Sequence, residues 1–324
     1  MEAIINTESE DNIEVPILEN DNHQFIKSNT LASSYEHLMQ DCIIPVFAKD
    51  NESTISHIEF IQTVNEVVEH VFKGETINKP AVRVSHTIKG RIPEAMGKPA
   101  KDLEEREKTI YYERMAFLIE IPSIRNIISD NTLCLTIGGV RAYNQENLYN
   151  RKAEEHFKVF IGFQNKVCTN LCVSTDGFAA EIKARTLQEL ADQIYLLLTS
   201  YSIDNHTRDM MSLLNYSINE NQFAQLVGRL RMFQLMPPDL KKNIFQPGLS
   251  DSQVNSVVKD YFFDKYFMKN ENGMIDLWRL FNLFTGANKA SYIDTFLDRG
   301  VNAYNFNLHL RNSLEGAEES WFLS

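Results

Sequence analysis

The sequence predicts an α+β fold: an N-terminal helix, an antiparallel sheet of five or six strands and a C-terminal part built only of helices. Apolar residues first recur at helical spacing, then alternate or form short runs, and return to helical spacing from Thr186 onward. Connections between the predicted strands are mostly short, which favours antiparallel hairpins over the long crossovers that parallel strands need. The 43% of hydrophobic residues are enough for a substantial core.

A capping box opens the first helix. Ser56-His-Ile-Glu59 places a hydroxyl and a carboxylate three residues apart, so that each accepts a hydrogen bond from the backbone of the other. Apolar residues then recur at helical spacing up to Val71, and Gly74 is a suitable terminator. We predict a helix over 57–73.

Six segments have the alternation or the β-branched and aromatic composition of strands, and turn residues bound them. They are 81–86, 109–121, 133–143, 157–164, 166–174 and 178–184. We expect the second to stop at Pro122. Gly138-Gly139 in the third marks a bulge or a close approach of another chain segment.

Further helices are predicted where the apolar spacing becomes helical, with three more capping boxes at Thr186–Glu189, Ser217–Glu220 and Ser250–Gln253. They cover 187–201, 218–236, 251–268, 275–285 and 291–314. The aromatic row Trp278, Phe281 and Phe284 is typical of a helix core. The domain organisation expected is an acidic disordered tail (1–30), a sheet domain (31–201), a helical domain or subdomain (202–314) and a second acidic tail (315–324).

The net charge of −12 is concentrated at the two ends. Residues 1–26 contain seven acids and no Lys or Arg, and the last ten residues contain three acids and no base. Removing these ten acids from 44 leaves 34 against 32 bases, so the body is nearly neutral. Two interpretations of the N-terminal acids stay open: a solvated tail, or a polyanion mimic that occupies a basic surface.

The most basic segment is 79–101, which contains six bases and one acid. A His, Lys and Arg group with a glycine beside it can bind a phosphate, and a plain solvent loop or a structural turn is the alternative. The candidate nucleic-acid or anion ligands are Arg83, His86, Lys89, Gly90, Arg91, Lys98 and Arg141. Arg83, Arg114 and Arg141 lie on three predicted strands and line one groove if the register aligns them. Among the aromatic residues of the sheet, Tyr143 is the one expected outside.

Sequence motifs for catalysis or cofactors are missing. The chain has no phosphate-loop, dinucleotide-binding, nucleophile-elbow or zinc-protease pattern, so no catalytic residue and no cofactor is predicted. On one strand Cys168 and Cys172 would be about 13 Å apart, which is too far for both to bind one zinc ion, so we expect both to be thiols in the core.

No apolar stretch is long enough for a membrane span, and the start lacks a signal-peptide pattern. We therefore expect a cytoplasmic protein without membrane contact.

Two pairs of segments resemble known families. Ser85–Ala95 and Thr109–Met115 resemble the domain-of-unknown-function family three-eight-seven-one, which phages, plasmids and conjugative elements of Bacteroidota carry, over most of residues 30–314. Val167-Cys-Thr-Asn170 and Leu277–Thr285 are similar to a broader phage- and plasmid-like family with a Cys-x-Asn-Gly strand end and a Trp-x-x-Tyr-Asn-x-x-Thr helix. Leu171 replaces the glycine and Phe281 the tyrosine. The resemblance implies a mobile-element context, not an activity.

Three function hypotheses follow. The first is a non-enzymatic, nucleic-acid-associated protein that binds or anneals single strands, and the second is an interaction module that binds or inhibits a host protein. A hydrolase or nuclease is the third, although no paired-acid metal motif is visible. Self-association into a homo-oligomer is possible in any of them. Convergence of the 79–101 bases and Arg141 on one concave face would favour nucleic acid, and scatter would favour the interaction module.

Overall fold

The computed structural model describes residues 24–324, except 29, 41, 43–54, 96 and 144–153. The predicted succession of a helix, a strand-rich part and a helical part is present, with further short elements that the sequence did not predict. The described strands are β1 (Leu31–Ser33), β2 (Ala81–Val84), β3 (Thr87–Arg91), β4 (Lys108–Tyr112), β5 (Arg114–Ile128), β6 (Asn131–Ala142), β7 (Glu155–Asn165), β8 (Leu171–Cys172), β9 (Phe178–Ala184), β10 (Ser217–Ile218) and β11 (Ile275–Asp276). The described α-helices are α1 (Tyr35–Gln40), α2 (His57–Val71), α3 (Leu187–Ser200), α4 (Ile203–Ser212), α5 (Glu220–Leu235), α6 (Pro238–Lys241), α7 (Asp251–Phe263), α8 (Leu277–Asn288) and α9 (Ile293–Glu315).

The main sheet is antiparallel, with the order β1-β2-β5-β6-β7-β8 and with β9 also paired to β7. It has seven described strands, because β1 adds an edge strand that the sequence did not predict. Side chains alternate between its two faces: Phe117 and Ile119 belong to one apolar cluster, and Ala116 and Leu118 to the other. The α+β class with C-terminal helices is confirmed.

Helices cover both faces of the sheet. Helices α2 and α3 pack on the face of Phe117, and α9 packs on the opposite face. Phe25 and Ile26, which fall inside the predicted N-terminal tail, are buried with α9 in the second cluster. The rest of that predicted tail, residues 1–23, lies outside the described residues.

The predicted start of the first helix is confirmed. Ser56 Oγ accepts from the Glu59 N–H at 3.1 Å, and the Glu59 carboxylate accepts from the Ser56 N–H at 2.7 Å. The helix ends at Val71, two residues before the predicted end, and Gly74 follows with a φ of 95°. At this conformation glycine has no steric penalty.

The predicted strand 109–121 is divided and longer than expected. Strand β4 pairs with β3 as a separate two-stranded ribbon, the β3–β4 ribbon, and β5 starts after Glu113. Strand β5 continues past Pro122 to Ile128, because a register shift between Ile121 and Arg125 accommodates a proline that has no N–H for the ladder. The expected stop at Pro122 is therefore wrong.

The pair Gly138-Gly139 allows a close approach rather than a bulge. The β6 ladders to β5 and β7 run through both residues without a register shift. A Cβ on Gly138 would lie 2.2 Å from the Phe117 carbonyl oxygen, and one on Gly139 would lie 2.5 Å from the Phe60 ring. Neither position has room for a side chain.

The predicted strand 166–174 is mostly a turn. Only Leu171–Cys172 pairs as a strand, since the Thr169 N–H donates to the Asn165 carbonyl at 2.7 Å and Thr169 has a φ of 59°. Cys168 therefore belongs to the turn, and the strand-based separation of the two thiols does not apply. All four cysteines are free thiols, and Cys134 and Cys172 are buried.

Two details of the helical part also differ from the prediction. Helix α5 starts two residues late, with Asn219 as its cap, because Ser217-Ile218 pairs with Ile275-Asp276 as β10 and β11. Helix α4 was not predicted. The aromatic row Trp278, Phe281 and Phe284 is fully buried, as expected, in an apolar cluster that is continuous with the α2 side of the sheet.

Candidate nucleic-acid interface

The predicted basic segment, 79–101, forms β2, β3 and the first part of the β3–β4 connection, and β4 follows it in the chain. The register pairs Lys89 with Ile110 and Arg91 with Lys108, so Lys89, Arg91 and Lys108 share one face of the ribbon. Gly90 lies on the other face, opposite Thr109. His86 and Lys89 are exposed.

Nearby acids and carbonyl groups engage the remaining charges of the ribbon. Arg91 donates to the Lys98 carbonyl, and the Lys98 ammonium lies 2.6 Å from Glu107. This hydrogen bond lowers the pKa of Glu107. Arg106 pairs with Glu104 at 2.8 Å, and Lys108 pairs with Glu105. Of the bases of the segment 79–101, Lys98 is thus paired with an acid that follows the segment in the chain, and Arg91 is held by a carbonyl group.

Arg83 has an internal role. Its side chain is buried, and its guanidinium donates to the carbonyl of Thr30 at 2.9 Å and to the hydroxyl of Thr30 at 3.1 Å. These bonds fix the chain just before β1. Arg83 lies opposite Ala116 and Arg141 lies opposite Met115, so the two arginines point to opposite faces of the sheet. The groove of three arginines is therefore wrong.

Arg141 is the centre of a buried polar cluster. It is 1% exposed, forms an ion pair with Glu155 and lies 4.6 Å from the ring centroids of both Tyr143 and Phe157. Tyr143 is itself buried, which overturns the expectation that it lies outside. The Glu155 carboxylate also accepts from the Ile55 N–H at 3.1 Å. Arg141 is inaccessible to a polyanion here.

His57 adjoins the same cluster. Its ring stacks on Tyr143 with centroids 4.4 Å apart, and its Nε2–H donates to the Tyr112 carbonyl at 2.8 Å. Burial, followed by the positive charge of Arg141, lowers the pKa of His57 to about 3. The imidazole is neutral at physiological pH and serves to join α2 to the base of the ribbon.

The predicted ligands do not converge. His86 and Lys89 are exposed on or beside the ribbon, Arg91 and Lys98 are engaged near its tip, and Arg83 and Arg141 are buried on opposite faces of the sheet. Their binding roles remain predictions, and the single concave basic face is absent among the described residues.

A second surface combines exposed aromatic rings with lysines at the end of α7. The inward row of that helix is Val254, Val257 and Tyr261, and the two residues after Tyr261 rotate away from it at 100° per residue. Phe263 is 78% exposed and Tyr266, in the loop that follows, 46%. We call this the aromatic–lysine surface. Its members are Lys259, Phe262, Phe263, Lys265, Tyr266, Met268 and Lys269.

The lysines of this surface lie beside its rings. The Lys269 ammonium is 4.7 Å from the centroid of Phe262, and the Lys265 ammonium is 5.1 Å from that of Tyr266. The Asp264 carboxylate accepts from the Tyr266 and Phe267 N–H groups at 2.8 and 2.7 Å, which holds the loop in place. Lys269 also pairs with Glu220 at 2.6 Å.

Sequence reasoning missed this surface, although the chain contains an indication of it. Tyr261-Phe-Phe-Asp-Lys-Tyr-Phe267 has five aromatic residues in seven positions. A helix can bury only one side, so such a run leaves some rings exposed. The predicted helix ran to residue 268, whereas α7 ends at Phe263.

The two segments of the second family resemblance meet in the structure. The Asn170 amide donates to the Asn282 carbonyl at 2.8 Å, and Lys289 donates to the Thr169 hydroxyl at 2.8 Å and to the Cys168 carbonyl. Burial lowers the pKa of Lys289 to about 8 and raises that of Cys168 to about 11. This buried contact joins α8 to the turn before β8.

Among the described residues, no group of three or more His, Cys, Asp or Glu side chains could hold a metal ion. In the same part of the chain, no helix is long and apolar enough to cross a membrane.

Comparison with known proteins identifies a family. Residues 7–323 match the family model described as "Domain of unknown function, B. Theta Gene description (DUF3871)". The chain belongs to this family. The match covers the sheet, the ribbon and the helices, so the candidate surface lies within the family domain. No curated protein and no solved structure matches the chain.

Proposed function

We propose that this protein binds single-stranded nucleic acid without catalysing a reaction, as part of a mobile genetic element. The observation that supports this function is the aromatic–lysine surface. Every base has a π-face that can stack on an exposed ring, and each stacked base contributes about 1–3 kcal/mol. Phe263 and Tyr266 offer such rings, and the ammonium groups beside them can neutralise phosphates.

The charges of the surface predict the character of the binding. Lys259 and Lys265 are exposed, whereas Lys269 is paired with Glu220. Two phosphate contacts to a single strand give a slope of about −1.4 for log affinity against log salt. Stacking therefore supplies most of the affinity, and the salt dependence is modest.

The scatter of the predicted basic residues changes the basis of the proposal. Lys89 and His86 are exposed and can serve as additional phosphate contacts at the ribbon. Arg83 and Arg141 are buried and therefore cannot contact a bound strand. The proposal depends on the rings at the end of α7.

Binding of fluorescein-labelled single- and double-stranded DNA across a salt series tests the function. We expect the single strand to bind more tightly than the duplex, and Phe263→Ala to weaken binding at every salt concentration. Leu235→Ala is the matched control, because Leu235 is an 89% exposed apolar residue at the end of α5. Absence of binding at low salt, or equal affinity of the two variants, would contradict the proposal.

A second candidate function is the interaction module. Met232, Leu235 and Leu240 are exposed apolar side chains around the end of α5 and the start of α6, and such patches are typical of protein contacts. The scatter of the basic residues also favours it. The expected result is a partner, either a host protein or a second copy, that survives nuclease treatment and is lost in Leu235→Lys. Co-purification with nuclease, together with the molar mass of the purified protein, distinguishes these cases.

A further inference from the structure

We propose that the groove beside the aromatic–lysine surface is a pocket for one nucleotide of the bound strand. The inference rests on the proposed function, and it names the part of the ligand that is recognised. The groove has a volume of about 340 Å³, within the roughly 300–1,000 Å³ that small-molecule sites have. Four segments of the chain form it: the β5–β6 turn, the turn before β8, the loop after α7 and the first turn of α8.

Its walls suit a base. Tyr266, which is 46% exposed, lines it on the side of the aromatic–lysine surface, and Val167 and the largely buried Phe267 and Trp278 complete the apolar lining. Tyr266 belongs both to the exposed surface and to the groove, so a strand that stacks on the surface reaches the groove with its next base. Ligand sites combine such apolar walls with a few fixed polar groups.

The polar groups of the groove offer a donor and an acceptor side by side. Asn131 Oδ1 accepts from the Trp278 indole N–H at 3.2 Å, which fixes the amide and leaves its two N–H donors for other partners. The exposed carboxylate of Asp130 supplies the acceptor. Adjacent donors and acceptors are what the edge of a nucleobase presents.

Lys265 is the exposed cation of the groove that suits the phosphate, and Arg279, which is paired with Asp276, adds a second positive group beside it. Lys265 is exposed and lies beside the Tyr266 ring. Arg279 is held in the first turn of α8, because its Nε lies 3.3 Å from Asp276 and its Nη1 donates to the Met268 carbonyl at 3.3 Å. A single nucleotide thus meets apolar walls, a polar edge and positive charge in one place.

The β5–β6 turn is strained at the rim of this groove. Ser129 and Asp130 have φ values of 45° and 61°, although neither is glycine. A left-handed conformation costs roughly 1–2 kcal/mol for such residues, and hairpin turns of this type favour Asn-Gly. Strain of this kind clusters at functional sites, and here it coincides with two polar side chains that line the groove.

The fluorescence of Trp278 tests the pocket. The chain has two tryptophans, so Trp321→Phe leaves Trp278, which lines the groove, as the reporter. Thymidine monophosphate and a ten-residue thymidine oligonucleotide should each change its emission saturably. In this background Asp130→Gly, which relieves the strain, and Lys265→Ala should each weaken oligonucleotide binding by about tenfold. Ile127→Ala, at a 66% exposed position of the same hairpin outside the groove, should have no effect.

The outcomes separate the two proposals. Oligonucleotide binding seen by anisotropy without any change in Trp278 emission overturns the pocket and leaves the proposed function intact. The pocket is likewise overturned if Asp130→Gly and Lys265→Ala bind like Ile127→Ala. A saturable response to the monophosphate alone supports the pocket and contradicts strand binding. Absence of both an anisotropy change with the oligonucleotide and an emission change with either ligand overturns both.

Discussion

The β3–β4 ribbon and the aromatic–lysine surface differ in how their composition relates to what they expose. The ribbon comes from the most basic segment, yet Arg91 bonds to a carbonyl and Lys98 pairs with Glu107. The aromatic–lysine surface comes from a run that resembles core, yet Phe263 is among the most exposed apolar residues described. The number of charges or aromatic residues in a segment of the sequence therefore does not show which of them a ligand can reach.

The difference has a physical cause in each case. Glu107, which follows the basic segment, folds back to pair with Lys98, and Arg106 and Lys108 pair with Glu104 and Glu105 beside it, so opposite charges pair locally. At the end of α7 the helical rotation allows only one row of residues to face inward, and the rings outside that row remain in solvent. Four experiments test this contrast, from the largest expected effect to the smallest.

Replacing Arg141, the most buried of the predicted ligands, and Lys89, an exposed one, should have very different effects on the free energy of unfolding. Arg141→Met leaves Glu155 buried without its guanidinium, so the free energy of unfolding should fall by about 3–5 kcal/mol. Lys89→Ala should change it by no more than about 0.5 kcal/mol. Urea unfolding measures both. The double variant Arg141→Met/Glu155→Gln should recover part of the loss, and a loss below about 1 kcal/mol in Arg141→Met would show that the cluster is not structural.

Affinity for a single strand should depend on the rings more than on the ribbon. Phe263→Ala/Tyr266→Ala should weaken binding at least about thirtyfold, from about 1 kcal/mol or more per stacked base. Lys89→Ala should weaken it at most about fivefold at 0.1 M salt, the effect of one phosphate contact. Fluorescence anisotropy compares them. The reverse ranking would make the ribbon the interface.

The buried lysine near the aromatic–lysine surface should make stability depend on pH. The pKa of Lys289 is lowered to about 8, below its unfolded value near 10.5, so the unfolded state binds more protons between these values. The free energy of unfolding should therefore rise as the pH increases from 8 to 10, by on the order of 1 kcal/mol. Lys289→Met should remove this increment. Identical pH profiles for the two proteins would mean that Lys289 titrates normally.

The N-terminal acids should compete with nucleic acid if they occupy the surface of the protein that binds it. The seven acids lie within residues 1–23, and Gln24 is anchored where its carbonyl accepts from Thr169 at 3.0 Å. Deleting residues 1–23, which spares the buried Phe25 and Ile26, should tighten binding by about threefold to tenfold at low salt. A variant with the seven acids changed to amides should behave like the deletion. Unchanged affinity in both variants would indicate that the acids form a solvated tail that does not compete with nucleic acid.

Local patterns predicted much of the fold. The capping boxes located the starts of α2 and α7, and alternation located β6, β7 and β9 to within two residues. Prediction failed where a tertiary contact competes with a local preference. Ser217-Ile218 has a capping-box pattern but pairs with β11, and the segment after Lys166 has strand composition but turns at Thr169.

The candidate site was less predictable than the fold, for the same reason. Arg83 and Arg141 are chemically suited to phosphate. They pair with two adjacent residues of β5, however, so their side chains lie on opposite faces of the sheet. The groove at the β5–β6 turn joins residues more than 100 positions apart, and no spacing in the sequence relates them.

The sequence by itself determined the main helices and strands and their order, because these depend on the local spacing of apolar residues. It also determined the acidic ends and the apolar residues available for the core, because these depend on composition. Only the tertiary structure decided which charges are accessible and which rings are exposed, because burial and ion pairing depend on segments that meet after folding. It buried Arg141 with Glu155 and left Phe263 in solvent. The proposed interface lies where the packing of α7 and α8 leaves aromatic rings uncovered beside a groove.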